Sequence, residues 1–179
     1  MTAEIASEAS GLVVMSLGDA RMGYVHFDGV ITVEDSGMEG GLRVPSSGRT
    51  KQTVLRFDDV DFDDRLSSPA RPEHVAAAIS FARNFVGRRL LIHCNAGLCR
   101  SPALALAVIA DRMGPGREAE AVEALAAIRP GAAPNLLVLE IADRLLGRAG
   151  DLANAWTERE RGNGRVARTR LLRGLVRKQ

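Results

Sequence analysis

The run His93-Cys94-Asn95-Ala96-Gly97-Leu98-Cys99-Arg100-Ser101 sets a thiol ahead of a guanidinium, with a glycine between them and a hydroxyl directly after. That order suits capture of an oxyanion such as a phosphoryl group and attack on it. Arg89-Leu90-Leu91-Ile92-His93 reads as a short buried strand and Ala103 to Met113 as an apolar helix, so the run forms a strand-to-helix loop. A loop entering a helix points backbone N–H groups inward, and the helix adds partial positive charge, so the place favours an anion before any side chain is counted. Cys94 lies at its base, where the field that holds an oxyanion also favours a thiolate, the nucleophilic form of the residue. The planar fork of Arg100 can grip two oxygens of a phosphoryl group as charge spreads in the transition state, which a lysine could not do in two-pronged fashion. Gly97 suits the tight part of the loop. Ser101 has two readings: N-cap of the following helix, with Pro102 at its first position, and a hydroxyl donor that eases departure of the sulfur. The expected phosphate-contacting set is Asn95, Ala96, Gly97, Leu98, Cys99, Arg100 and Ser101.

Given a cysteine, the chance of His before it and Gly, Arg and Ser at these following positions is on the order of one in 10^5 from ordinary residue frequencies, which weakens the reading of a fortuitous junction. The motif resembles the signature of the cysteine-dependent protein phosphatases: His-Cys, five residues, Arg, then Ser or Thr. The resemblance implies a phosphocysteine intermediate, no metal and no cofactor.

Expelling an alkoxide or phenoxide also needs a proton donor, and the same group can later activate the water that releases phosphate. Low-molecular-weight phosphatases carry the signature near the N-terminus with an Asp-Pro pair after it, whereas no Asp-Pro occurs in this sequence. Upstream of Cys94 lies Thr53-Val54-Leu55-Arg56-Phe57-Asp58-Asp59-Val60-Asp61-Phe62-Asp63-Asp64, an apolar strand running into five aspartates. A strand ending in Asp ahead of the nucleophile resembles the dual-specificity and related small, bacterial-type tyrosine phosphatases. Matching the strand to that pattern puts Asp59 at the acid position, with Asp61 second; Asp58, Asp63 and Asp64 are also open, and most of the cluster reads as a solvated loop.

Cys99, five residues after Cys94, has two open readings. Low-molecular-weight phosphatases often carry a cysteine at this offset, which implies an intraloop disulfide protecting the nucleophile; the other reading is a small apolar side chain filling space behind the loop. Metal binding fits poorly, since His93, Cys94 and Cys99 are only three candidate ligands.

These parts must be positioned by a fold, and 179 residues with 46% hydrophobic and 26% charged content suit one soluble domain with an adequate core. Leu12 to Leu17 and Val30 to Val33 read as strands, and Ser36 to Thr50, rich in Gly, Pro and Ser, as a flexible loop. Pro72 to Phe85, Arg117 to Ile128 and Leu136 to Leu146 read as amphipathic helices, the last capped by Asn135. His26 and His74 read as surface residues rather than ligands. The expected fold is a single-domain α/β architecture, a central, mostly parallel sheet flanked by helices as in the dual-specificity phosphatases, with the active-site loop between a strand and a buried helix. Arg129-Pro130 and Pro134-Asn135 extend the resemblance over residues 50–147.

The phosphatase domain is expected over 1–156, followed by a basic tail, 157–179, in which seven arginines and Lys178 face only Glu158 and Glu160. The tail reads either as a mobile terminus or as a contact for an acidic surface. One of two cysteines must stay a thiol, and the sequence shows neither a signal-like N-terminus nor a long apolar run, so a cytoplasmic location is expected. The expected partner is a phosphorylated protein, phosphotyrosine favoured over phosphoserine and phosphothreonine, with no clear nucleic-acid or membrane binding. Uncharged Asn95, Ala96, Leu98 and Cys99 argue against polyphosphorylated inositides. The competing readings are a phosphoprotein-binding module with weak or no turnover, and a phosphatase acting on a non-protein phosphate ester.

Overall fold

The computed structural model describes residues 11–45, 47–61, 67–161, 163–164 and 166–170. Four strands, β1 (Leu12–Met15), β2 (Gly29–Glu34), β3 (Lys51–Arg56) and β4 (Leu90–His93), form one sheet in the order β1-β4-β2-β3, every neighbouring pair parallel. The two central strands, β2 and β4, are buried along their whole length and carry the continuous apolar runs that a covered parallel sheet requires.

The pleat sends alternate residues to two cores of unequal size. Leu12, Val14, Ile31, Val33, Leu55, Leu90 and Ile92 face the larger one, built with α2 (Pro72–Arg83), α3 (Arg100–Met113), α4 (Glu118–Ile128), α5 (Leu136–Leu146) and α6 (Asp151–Glu160). Val13, Met15, Val30 and Leu91 face the smaller one, closed by Ala20 of α1 (Leu17–Gly23), Phe27 and Val44. α3 is wrapped on all sides: every residue from Arg100 to Ala110 is buried, as a helix uniformly apolar after its first turn demands.

The structure has the expected α/β class, and its sheet is wholly parallel among the described residues. Three local expectations differ. The first strand stops at Met15, because Ser16 caps a short helix that the sequence reading missed, its hydroxyl accepting from Asp19 N at 3.2 Å. The loop before β3 is anchored at one point rather than free throughout: Leu42 and Val44 are buried, and Arg21 donates to the carbonyls of Gly41 and Arg43, while 36–41 are exposed. His74 is half-buried, stacked on Phe57 with ring centroids 5.2 Å apart. Burial pushes its pKa below the ordinary histidine value. The boundary expected at 156/157 falls inside α6, whose Trp156 is buried, and Val166 beyond it also enters the main core. Asp63, Asp64 and the tail from 171 onward lie outside the described residues.

Candidate active site

β4 delivers His93 and Cys94 to the C-terminal edge of the sheet, beside the ends of β1 and β2. Ligand sites of open parallel sheets form at this edge. The loop then wraps back so that its carbonyls point outward. Leu17 N donates to Asn95 O (2.9 Å), Arg129 Nη2 to Ala96 O (3.4 Å) and Arg129 Nε to Gly97 O (3.0 Å). Ala133 N donates to Leu98 O (2.7 Å) and Asn135 N to Cys99 O (3.2 Å). Five successive carbonyls are thus taken by donors outside the loop, which leaves the N–H edges of those peptides to the inside. That is an anion cradle built from backbone.

Gly97 makes the cradle possible. Its φ is +69°, and a Cβ there would lie 2.5 Å from Met15 O, so no L side chain fits. At the base sits Cys94, 3% exposed, whose Sγ accepts from Gly97 N (3.3 Å) and from the Ser101 hydroxyl (3.2 Å). Ser101 therefore serves the thiol rather than capping the helix: α3 begins one residue earlier, at Arg100, and its N-cap position is Cys99.

His93 is fully buried, with Nε2 2.8 Å from the Thr32 hydroxyl, which also accepts from Gln52 Nε2 at 2.8 Å. Burial pulls its pKa down to about 4, so it is neutral near pH 7. It ties β4 to β2 directly before Cys94.

The guanidinium of Arg100 is buried against the same loop. Nη1 donates to Phe57 O (2.9 Å) and pairs with Asp35 Oδ1 (2.6 Å), while the buried Nε has no hydrogen-bond partner among the described residues. Burial opposes its charge, but Cys94, Asp35 and Asp59 outweigh that effect and hold it above the usual arginine range. Sequence reasoning missed Asp35, because nothing in its spacing links the end of β2 to the loop.

The aspartates separate by what they touch. Asp58 accepts from Ser36 N, the Ser36 hydroxyl and Ser68 N, at 2.8–2.9 Å. Burial would raise its pKa, yet these bonds and the charge of Arg100 carry it below the ordinary aspartate value. Asp61 accepts from Leu136 N at the start of α5 (3.0 Å). Asp59 Oδ1 accepts from Asn135 Nδ2 (3.0 Å), and its charge acts on Arg100 alongside that of Cys94. Asn135 caps α5 as expected, accepting from Val138 N (3.1 Å), and in addition holds the acidic segment, which its sequence position did not reveal.

No disulfide joins Cys94 and Cys99, and both are buried. Among the described residues no group of three or more His, Cys, Asp and Glu is placed to hold a metal ion. No described helix is long and apolar enough to cross a membrane.

No protein-family model and no curated protein sequence matches the chain. Solved structures do. The human tyrosine phosphatase-like serine/threonine/tyrosine-interacting protein superposes with a TM-score of 0.61 at 17% identity, covering 75% of this chain and 90% of that one. DUSP15 gives 0.58 at 21% identity, covering 83% and 92%. PTPMT1, solved in complex with PI(5)P, gives 0.50 at 20% identity, covering 82% and 90%. The chain thus has the fold of the dual-specificity-like, cysteine-dependent tyrosine phosphatases.

Proposed function

We propose that this chain is a cysteine-dependent phosphoric monoester hydrolase acting on phosphorylated protein, with phosphotyrosine favoured over phosphoserine and phosphothreonine. The single observation that carries this reading is the buried Cys94 sulfur, which takes two hydrogen bonds at the floor of a cradle whose five carbonyls are turned away. A thiol so placed has donors for its charge and peptide N–H groups around the position of an incoming phosphoryl group. Those features serve turnover, which a module that only binds phosphate does not need.

In the proposed reaction the Cys94 thiolate attacks phosphorus in line, forming the S–P bond as the ester P–O bond breaks. Peptide N–H groups of residues 95–101 and the fork of Arg100 hold the equatorial oxygens. Asp59 passes its proton to the leaving oxygen. Water then attacks phosphorus, giving a proton back to Asp59, and the S–P bond breaks to release inorganic phosphate, with the Ser101 hydroxyl stabilising the departing sulfur. No metal or cofactor enters any step. The uncharged side chains at 95, 96, 98 and 99 support a single phosphoryl group rather than a polyphosphorylated inositide. A thiolate nucleophile is open to oxidation, which favours the reducing cytoplasm.

Hydrolysis of an aryl phosphate in excess chelator tests the reading. Wild-type protein is expected to turn over at an undiminished rate and Cys94→Ser to fall by at least about 10^4-fold, to background. Activity that vanishes in chelator, or that survives in the serine variant, would contradict the mechanism.

A further inference from the structure

Asn135 is fully buried, and every polar group it has is used. Its backbone N–H donates to Cys99 O of the cradle loop, and its carbonyl accepts from Leu139 N (3.3 Å) within α5. Side-chain Oδ1 accepts from Val138 N, and Nδ2 donates to both Asp59 Oδ1 (3.0 Å) and Val60 O (2.9 Å). Capping needs only the acceptor oxygen, which serine or aspartate supplies equally well. The start of α5 already has a second such acceptor in Asp61 Oδ1. The amide NH2 is superfluous for the helix, and both its contacts go to the acidic segment.

We infer that Asn135 is a positioning residue that sets which oxygen of Asp59 exchanges the proton; this rests on the reading of Asp59 as the general acid. A neutral carboxyl has one protonated oxygen and one accepting oxygen. An N–H donor on Oδ1 makes that oxygen the acceptor and puts the proton on Oδ2. In the first step the Oδ2–H bond breaks and its proton goes to the leaving ester oxygen; in the second, Oδ2 takes a proton from the attacking water. The amide stays on Oδ1 throughout, so one oxygen both gives and receives. Because Asn135 also donates to Cys99 O, the acid and the cradle are registered on the same residue.

The test compares an aryl phosphate with a poor leaving group against one activated by a nitro group, in wild type, Asn135→Ser, Asn135→Ala, Asp59→Asn and Asn135→Ser/Asp59→Asn. Serine keeps the cap and removes the donor. Asn135→Ser and Asn135→Ala are both expected to lose about tenfold or more on the poor leaving group and less than about threefold on the activated one, against roughly 10^2 to 10^4 for a full general acid. In the Asp59→Asn background, Asn135→Ser should cost nothing further. If Asn135→Ser behaves as wild type, only the cap matters and the inference falls. It falls equally if the loss is the same for both esters or adds fully to Asp59→Asn. Asn135→Asp provides an isosteric check should serine unfold the protein: it retains the cap, replaces the donor by an acceptor that draws the Asp59 proton onto Oδ1, and is expected to lose at least as much as Asn135→Ser on the poor leaving group. Wild-type discrimination in a folded Asn135→Asp protein would overturn the inference. Unchanged discrimination in Asp59→Asn would instead sink the acid assignment itself.

Discussion

Arg100 commits Nη1 to Phe57 O and Asp35, which turns the fork about that corner, while its buried Nε has no hydrogen-bond partner among the described residues. In the proposed mechanism that nitrogen is left for a phosphoryl oxygen. Asp35, whose side chain is 32% exposed, contributes a fixed direction more than net charge, since its carboxylate also repels an incoming anion. Asp35→Ala is therefore expected to lower kcat about tenfold, equivalent to about 1.4 kcal/mol, through loss of orientation. Inhibition by inorganic phosphate should be no weaker, because a negative charge has left the rim. Steady-state kinetics with phosphate as inhibitor separate the two effects, and weaker phosphate binding at unchanged kcat would count against this role.

At the scale of elements, three consecutive residues at the C-terminal end of β2 tie neighbouring segments together. Glu34, fully buried, takes Arg43 from the loop before β3 and Arg56 from β3; Asp35 takes Arg100; Ser36 takes Asp58. Burial raises the cost of ionising Glu34, and its two arginines more than offset that, leaving its pKa below the ordinary glutamate value. The other fixed point is the approach of the cradle to the end of β1, where Gly97 meets Met15 O and Ser16 N. Gly97→Ala is expected to destabilise the protein by roughly 1–2 kcal/mol from the left-handed backbone alone. Activity should drop more than stability explains, since relieving the contact turns the 96–98 peptides out of register. Thermal unfolding beside kcat checks this, and a fully active, fully stable alanine variant would contradict it.

At this scale the sequence was a good guide wherever one element's own pattern carried the signal. The apolar run of β4 followed by that of α3 located the cradle, and the Pro72 start and Asn135 cap fixed two helices. Contacts between elements were not legible. Asp35 meets Arg100 only because β2 and β4 pair in parallel, and Asn135 meets Asp59 across 76 positions of chain. The loop before β3 looked loose because its anchors, Leu42, Arg43 and Val44, are one short run among glycines, prolines and serines.

The whole molecule has one large core on the helical face of the sheet and a small one opposite, and the candidate site lies where the strands of both run out. The far end of the described chain is part of this body. Trp156 and Val166 are buried, Thr169 donates to Gly131 O, and Arg170 pairs with Glu160 and donates to Pro134 O (3.3 Å), bracing the segment that leads to Asn135. The described residues from α4 onward thus support the loop and Asp59–Asp61 from behind. All of this converges on one atom, the Cys94 sulfur, which in the proposed mechanism becomes bonded to phosphorus. The most direct measurement is a rapid acid quench during turnover of a phosphotyrosyl peptide, followed by peptide mass analysis. One phosphoryl group is expected on the peptide bearing Cys94, absent from Cys94→Ser and accumulating further in Asp59→Asn with an activated ester; phosphate released with no such adduct, or an adduct on another residue, would overturn the mechanism.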